Sequence, residues 1–201
     1  MAITNGYCSL NDIKAALRIS DSTDDALLQL AVESASRMID SVAERIFYNA
    51  GTATRQYAAL RSDLVQIDDC RTITTLQTST NADYIYDQTW KVTDFQGEPL
   101  NQLVAGQSTP FTRIRATGDY NFPVASDVAT VQVTGVWGFA AVPTAIKQAC
   151  VIQSAREFKR FDSPLGVAGY GDLGVMRVSR YLDPDVEMLV RPWMRNTNAV
   201  A

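Results

Sequence analysis

The hydrophobic pattern of this chain changes period twice, and that limits its fold more than any other feature. From Asp24 onward, apolar residues recur at Leu28, Ala31, Val32, Ala35, Met38, Ile39, Val42 and Ile46. Steps of three and four place them on one face of a helix. After Gly51 the period drops to two: Val131 and Val133 alternate with Thr130, Gln132 and Thr134, the pattern of a half-buried strand. At Pro143 the helical period returns. Helix, then strand, then helix predicts an α+β fold, in which a helical body carries an inserted antiparallel β subdomain. The expected boundaries are 1–51 for the first helical part, 52–137 for the insert and 138–201 for the C-terminal helical part, together one domain with an insertion.

Local signals place the elements. Ser9, with Asp12 at the third helical position, predicts a capping box and a short helix to about Arg18. A long helix is expected from Asp24 to Phe47, roughly 35 Å at the helical rise. Strands are expected at Thr54–Ala59, Asp63–Ile67, Ile73–Thr78, Trp90–Thr93, Thr112–Ala116 and Val128–Val136. Pro143 opens a helix that should end near Asp162. Its apolar half carries Ile146, Cys150, Val151, Ala155, Phe158 and Phe161, with Arg156, Lys159 and Arg160 opposite. Residues 163–175 read as a glycine-rich loop, and Met176–Ser179 as extended. Asp183-Pro184 is a cap and first-turn proline for a last helix, Pro184–Val190, before a loose polar tail.

Charge and composition narrow the function classes. The 201 residues carry a net charge of −4, where a protein gripping DNA would show a basic excess. Residues 1–139 hold 10 Lys/Arg against 16 Asp/Glu, and residues 140–201 hold 8 against 6. The C-terminal part is therefore the better candidate for meeting an acidic partner. No histidine is present, which removes Ser-His-Asp and Cys-His nucleophile arrangements and most zinc sites. Cys8, Cys70 and Cys150 have no motif spacing and predict free thiols in a reducing compartment. The N-terminus lacks the layout of a signal peptide, and no apolar run reaches the ~18 residues of a membrane span. A soluble protein made in the cytoplasm, with no membrane contact, is expected.

Four motifs could carry function. Gly169-Tyr170-Gly171-Asp172-Leu173-Gly174 matches a dinucleotide-binding pattern, but a helix precedes it and an extended stretch follows. The strand-to-helix context that aims a helix N-terminus at a pyrophosphate is missing, and a partner-contacting loop is the expectation. Asp68-Asp69 is an acidic pair expected at a turn. Arg156, Lys159 and Arg160 form a basic cluster, either a solvated face or a contact with an acidic neighbour. Trp193, in Arg191-Pro192-Trp193-Met194-Arg195, either packs back onto the body or anchors in a partner's pocket. The candidate contact residues are Arg156, Lys159, Arg160, Gly169, Tyr170, Gly171, Arg191, Trp193 and Arg195. No catalytic residue, cofactor site or metal site is expected.

In order along the chain, the pieces are Tyr7-Cys8-Ser9 before a short helix, and Ala35-Ser36-Arg37-Met38-Ile39-Asp40-Ser41 in a long one ending in Arg45-Ile46-Phe47. Then come Thr54-Arg55, Val65-Gln66-Ile67-Asp68-Asp69, and Val133-Thr134-Gly135-Val136-Trp137-Gly138-Phe139 before Val142-Pro143 and a helix. This string, covering about residues 7–162, resembles the tailed-phage head–tail connector (adaptor) family. The resemblance implies a structural protein of the virion neck, assembled as a ring, usually a dodecamer, beneath the portal protein. It would meet a tail-side stopper or tail protein and continue the channel through which viral DNA passes without tight binding. It transfers no catalytic residues. A tail-terminator or stopper is the alternative within the neck, though those are usually mainly β. A DNA-binding accessory protein and a carboxylate-based hydrolase are the alternatives outside it, and no acid pair in the sequence is placed for the latter.

Overall fold

A computed structural model describes residues 3–101, 103–125, 127–161, 167–169, 175–177 and 182–195. It contains both helices and an antiparallel sheet. Two compact units emerge: one is formed by the described residues up to Phe47 and from Val142 onward, the other by residues 48–141.

The first unit is helical. Helix α1 spans Leu10–Leu17 and opens on the capping box read from the sequence: the Ser9 hydroxyl accepts from the Asp12 N–H, and the Asp12 carboxylate accepts from the Ser9 N–H. Such a reciprocal cap satisfies two donors that a helix start leaves orphaned. Helix α2, Asp25–Ala43, is a turn shorter than expected. Glu44 takes a left-handed conformation (φ 54°) and ends it. The next backbone donors find partners outside the helix, for the Phe47 N–H donates to the Tyr7 hydroxyl at 2.8 Å. Helix α3, Thr144–Arg160, packs against α1, α2 and the last helix, α4, Pro184–Val190. Its buried stripe is Ile146, Ala149, Cys150, Gln153 and Ser154, rotated from the expected Val151, Ala155, Phe158 and Phe161. Phe161 is 52 % exposed. The small residues Ala31, Ala35 and Ser36 of α2 are fully buried. Gln153 is buried within the same stripe, its amide donating to Glu157 at 2.9 Å, in a place the expected apolar half-face would have given to a hydrophobic side chain.

The second unit is a six-stranded antiparallel sheet. Its strands are β1 (Asn49–Tyr57), β2 (Leu64–Thr78), β3 (Gln88–Thr89), β4 (Phe95–Glu98), β7 (Phe111–Ala116) and β8 (Val131–Gly138). The order is β1-β8-β2-β7-β4, with β3 on the end of β2. A two-stranded ribbon, β5 (Leu103–Val104) and β6 (Gln107–Ser108), lies off the sheet. The two strands expected around Asp68-Asp69 are one fifteen-residue strand. Likewise, Trp90–Thr93 is not a strand: the Lys91 N–H donates to the Asp94 carboxylate, and the Asp94 N–H closes a turn onto the Lys91 carbonyl. The strand follows it, as β4.

Beneath the sheet, Trp90 stacks on Phe122 with centroids 4.6 Å apart, beside Ile67, Leu76, Ile114, Val131, Val133 and Trp137. Both buried indoles donate, Trp90 to the Thr78 hydroxyl and Trp137 to the Ala53 carbonyl, so neither leaves an unpaired N–H. Gly135 lies where a Cβ would come within 2.4 Å of the Thr72 carbonyl oxygen, and β2 and β8 can approach this closely only over glycine.

Candidate interaction surfaces

The acidic pair sits inside β2, not at a turn. The Asp68 carboxylate accepts from Arg55 at 2.7 Å and from the Tyr57 hydroxyl at 3.1 Å. The ladder between β2 and β7 shifts register between Gln66 and Cys70, an irregularity that admits the two acids without breaking the strand. Asp69 is buried. Arg55 also lies over the Trp137 ring at 4.4 Å.

Other acids are engaged in the same way. Glu98 is gripped by Arg115 at 2.6 Å and Arg113 at 2.9 Å. Chiefly Arg115 holds its carboxyl below the ordinary range. Arg61 does the same for Asp63. Such acids stay ionised and structural, poorly suited to giving up a proton. Among the described residues, no group of three or more Cys, Asp or Glu side chains could hold a metal ion, and no helix is long and apolar enough to cross a membrane.

The C-terminal candidates divide. Arg156 is mostly covered and lies 3.6 Å from Asp183, the residue that caps α4 through the Asp185 N–H. It therefore points to α4, while Lys159 and Arg160 at the end of α3 are exposed. Arg191 is also exposed, in a 3-10 turn, Arg191–Trp193, that follows α4. Trp193 is only 1 % exposed. It meets Phe47 edge to face at 6.3 Å, and Phe47 meets Tyr7 the same way at 5.7 Å. Of the two sequence alternatives, packing back onto the body describes its position. Arg45 donates to the Trp193 carbonyl at 3.1 Å, and the Arg195 N–H donates to the Ala43 carbonyl at 3.0 Å. The residues after α4 thus close the end of α2.

Sequence reasoning missed the residue that organises this corner, Tyr7. Its hydroxyl donates to Asp40 and accepts from Phe47, and burial pushes its ionisation well above the ordinary range. Asp40 is itself raised by burial, against the pull of Tyr7 and Arg37. A lone tyrosine before a helix cap carries no pattern that could have revealed these partners.

The glycine-rich stretch contains two short strands. β9 (Val167–Gly169) pairs antiparallel with β10 (Val175–Arg177). A strand, not a helix, directly precedes the glycine motif, and a strand follows it. The helix start that a pyrophosphate needs is absent among the described residues. Gly169 ends β9, whereas Tyr170 and Gly171 lie outside the described residues.

Known proteins share this arrangement. Residues 7–81 match the family model "Phage gp6-like head-tail connector protein". No curated protein matches the chain. A chain from the neck of an empty gene transfer agent (GTA) particle, computed with C6 symmetry, matches with a TM-score of 0.60 at 16 % identity, covering 100 % of this chain and 96 % of that one. A chain from the neck of the native particle, computed with C12 symmetry, gives 0.55 at 15 % identity over the same shares. A chain from the virion of the native particle gives 0.58 at 16 % identity, again over the same shares. At such identities the likeness is one of fold. The stretch that holds α1, α2, β1 and β2 therefore carries the sequence signature of the phage gp6-like head–tail connector proteins, within a fold shared along its whole length with a chain of a gene transfer agent neck.

Proposed function

We propose that this chain is a head-to-tail adaptor, a structural subunit of the virion neck that assembles with identical copies into a ring beneath the portal. The observation that carries the reading is the coincidence of two independent likenesses. The connector signature falls on residues 7–81, and the whole-chain fold likeness is to chains of necks computed with C6 and C12 symmetry. The subunit plan is a helical body with a β insert between α2 and α3. Helices α2 and α3 favour an adaptor over a mainly β terminator or stopper. The role is scaffolding, without catalysis or cofactor. The portal binds on one side and a tail-side stopper or tail protein on the other. A net charge of −4 suits a conduit that lets DNA pass without holding it.

In this reading the contact residues divide by exposure and charge. Lys159, Arg160 and Arg191, exposed on the helical unit, are assigned to an acidic partner surface. Gly169, Tyr170 and Gly171, in the glycine-rich stretch of the sequence, are assigned to a neighbouring subunit. Arg156, Trp193 and Arg195 act indirectly, by holding α4 and its following turn in place.

The test is particle mass in solution and on portal-bearing heads, for the wild type and for the combined Lys159→Glu, Arg160→Glu, Arg191→Glu variant. Rings or portal-bound copies are expected for the wild type, with docking lost in the variant while its circular dichroism is unchanged. A wild-type chain that stays monomeric and never joins a portal would overturn the reading.

A further inference from the structure

Cys8 and Cys150 are far apart in sequence, yet their sulfurs lie 3.3 Å apart. Cys8 precedes the cap of α1, and Cys150 is in the second turn of α3. Both are buried free thiols. Ser36 Oγ lies 3.4 Å from the Cys150 sulfur and Ser154 Oγ 3.7 Å from it. We propose that Cys8 and Cys150 form an oxidisable dithiol, a modification site at which a small hydroperoxide converts the pair to a disulfide tying the N-terminal segment to α3.

Three features support this. The sulfurs need to close by only about 1.3 Å to reach the bonded length of ~2.0 Å. Cys8 also borders a surface groove lined by Ile3, Asn5, Gly6, Leu10, Asp12 and Lys147, a route for a solute as small as hydrogen peroxide. Finally, the two thiols are unequal. Hydrogen bonds from Cys8, and then from Ser36 and Ser154, hold the Cys150 thiol below its ordinary ionisation despite burial. Cys8 is pushed the other way, chiefly by its bond to Cys150. Either sulfur can attack the peroxide, and the other then resolves the product.

The chemistry balances in two steps. The thiolate of one of the pair attacks one peroxide oxygen. A sulfur–oxygen bond forms, the oxygen–oxygen bond breaks, and hydroxide leaves to become water, giving a sulfenic acid. The partner sulfur then attacks the oxidised one. A sulfur–sulfur bond forms, the sulfur–oxygen bond breaks, and the departing hydroxide takes the resolving thiol's proton as a second water. Two thiols are oxidised and one peroxide is reduced. Cys70 serves as an internal control: it lies in the β unit, and its thiol donates to the Thr72 carbonyl.

The inference does not rest on the head-to-tail reading. Its test uses the full chain treated with dilute hydrogen peroxide. Intact mass should fall by about 2 Da, and thiols titratable after denaturation should fall from three to one. Peptide mapping should join the Cys8 and Cys150 peptides. The thermal midpoint should rise by on the order of 10 °C, because the bond closes a long loop in the unfolded chain, and dithiothreitol should reverse the rise. Cys70→Ser should form the same cross-link, its titratable thiols falling from two to none. Cys8→Ser and Cys150→Ser should each abolish the cross-link and the peroxide-induced rise in thermal midpoint. Three thiols surviving in a chain that circular dichroism shows folded would overturn the proposal, as would a cross-link through Cys70. Should Cys8→Ser fail to fold, the peptide map of the wild type and of Cys70→Ser still decides.

Discussion

The helical unit and the β unit are closed by different means. In the helical unit the element ends matter most: Ser9 and Asp183 cap two helix starts, while Tyr7 and the turn at Trp193 close the end of α2. In the β unit the ends matter less and the ladder more. One long strand, β2, is shared by β8 and β7, and two tryptophans fill the space beneath. The helical unit is therefore vulnerable at a few separate points, and the β unit wherever two strands approach closely.

The largest expected effect tests the first half of that contrast. Trp193→Ala removes a fully buried indole from the Tyr7–Phe47 stack and should cost about 4 kcal/mol, read as a lower thermal midpoint. A loss under about 1 kcal/mol would show that the segment after α4 does not close the helical unit. Gly135→Val tests the β unit, since its side chain would run into the Thr72 carbonyl. About 3 kcal/mol is expected, with the near-ultraviolet signal of the sheet tryptophans disturbed. A smaller cost is expected for Tyr7→Phe, about 2 kcal/mol, because it strips the partner from the buried Phe47 N–H and from Asp40. Chemical denaturation measures it.

The smallest effect is pH-dependent. Lys147 first, and Ser9 next, pull the Asp12 carboxyl down to about 2. Its folded value is lowered, so its stabilisation is present above the ordinary carboxylate range and fades as pH falls from about 4 to about 2. Asp12 is partly exposed, so solvent screening keeps the contribution at or below about 1 kcal/mol. Asp12→Asn should therefore destabilise at pH 7 and be nearly neutral at pH 2. An equal cost at both values would place the effect in packing instead.

What the residue pattern revealed follows from the range of the forces involved. Caps are local, so Ser9 and the span Pro184–Val190 could be read directly. The end of α2 could not, because it depends on Tyr7 and Arg195, both remote in sequence. Asp68-Asp69 looked like a turn for the same reason: Arg55 and Tyr57, which let Asp68 stay in a strand, lie on β1. The contact surface was legible by residue type only. Lys159 and Arg160 remained exposed as a charged face should, but Arg156 and Trp193, equally plausible by composition, were turned inward by the position of α4.

Strand β2 has a mechanical consequence. Its first half is bonded to β7 and its second half to β8, an overlap like the splice of two ropes. Tension along it would load both ladders in shear, with many hydrogen bonds perpendicular to the pull sharing the load at once. A subunit built around such a splice resists stretching along that strand far better than one whose strands could peel apart singly, a useful property in a part that would join two larger bodies.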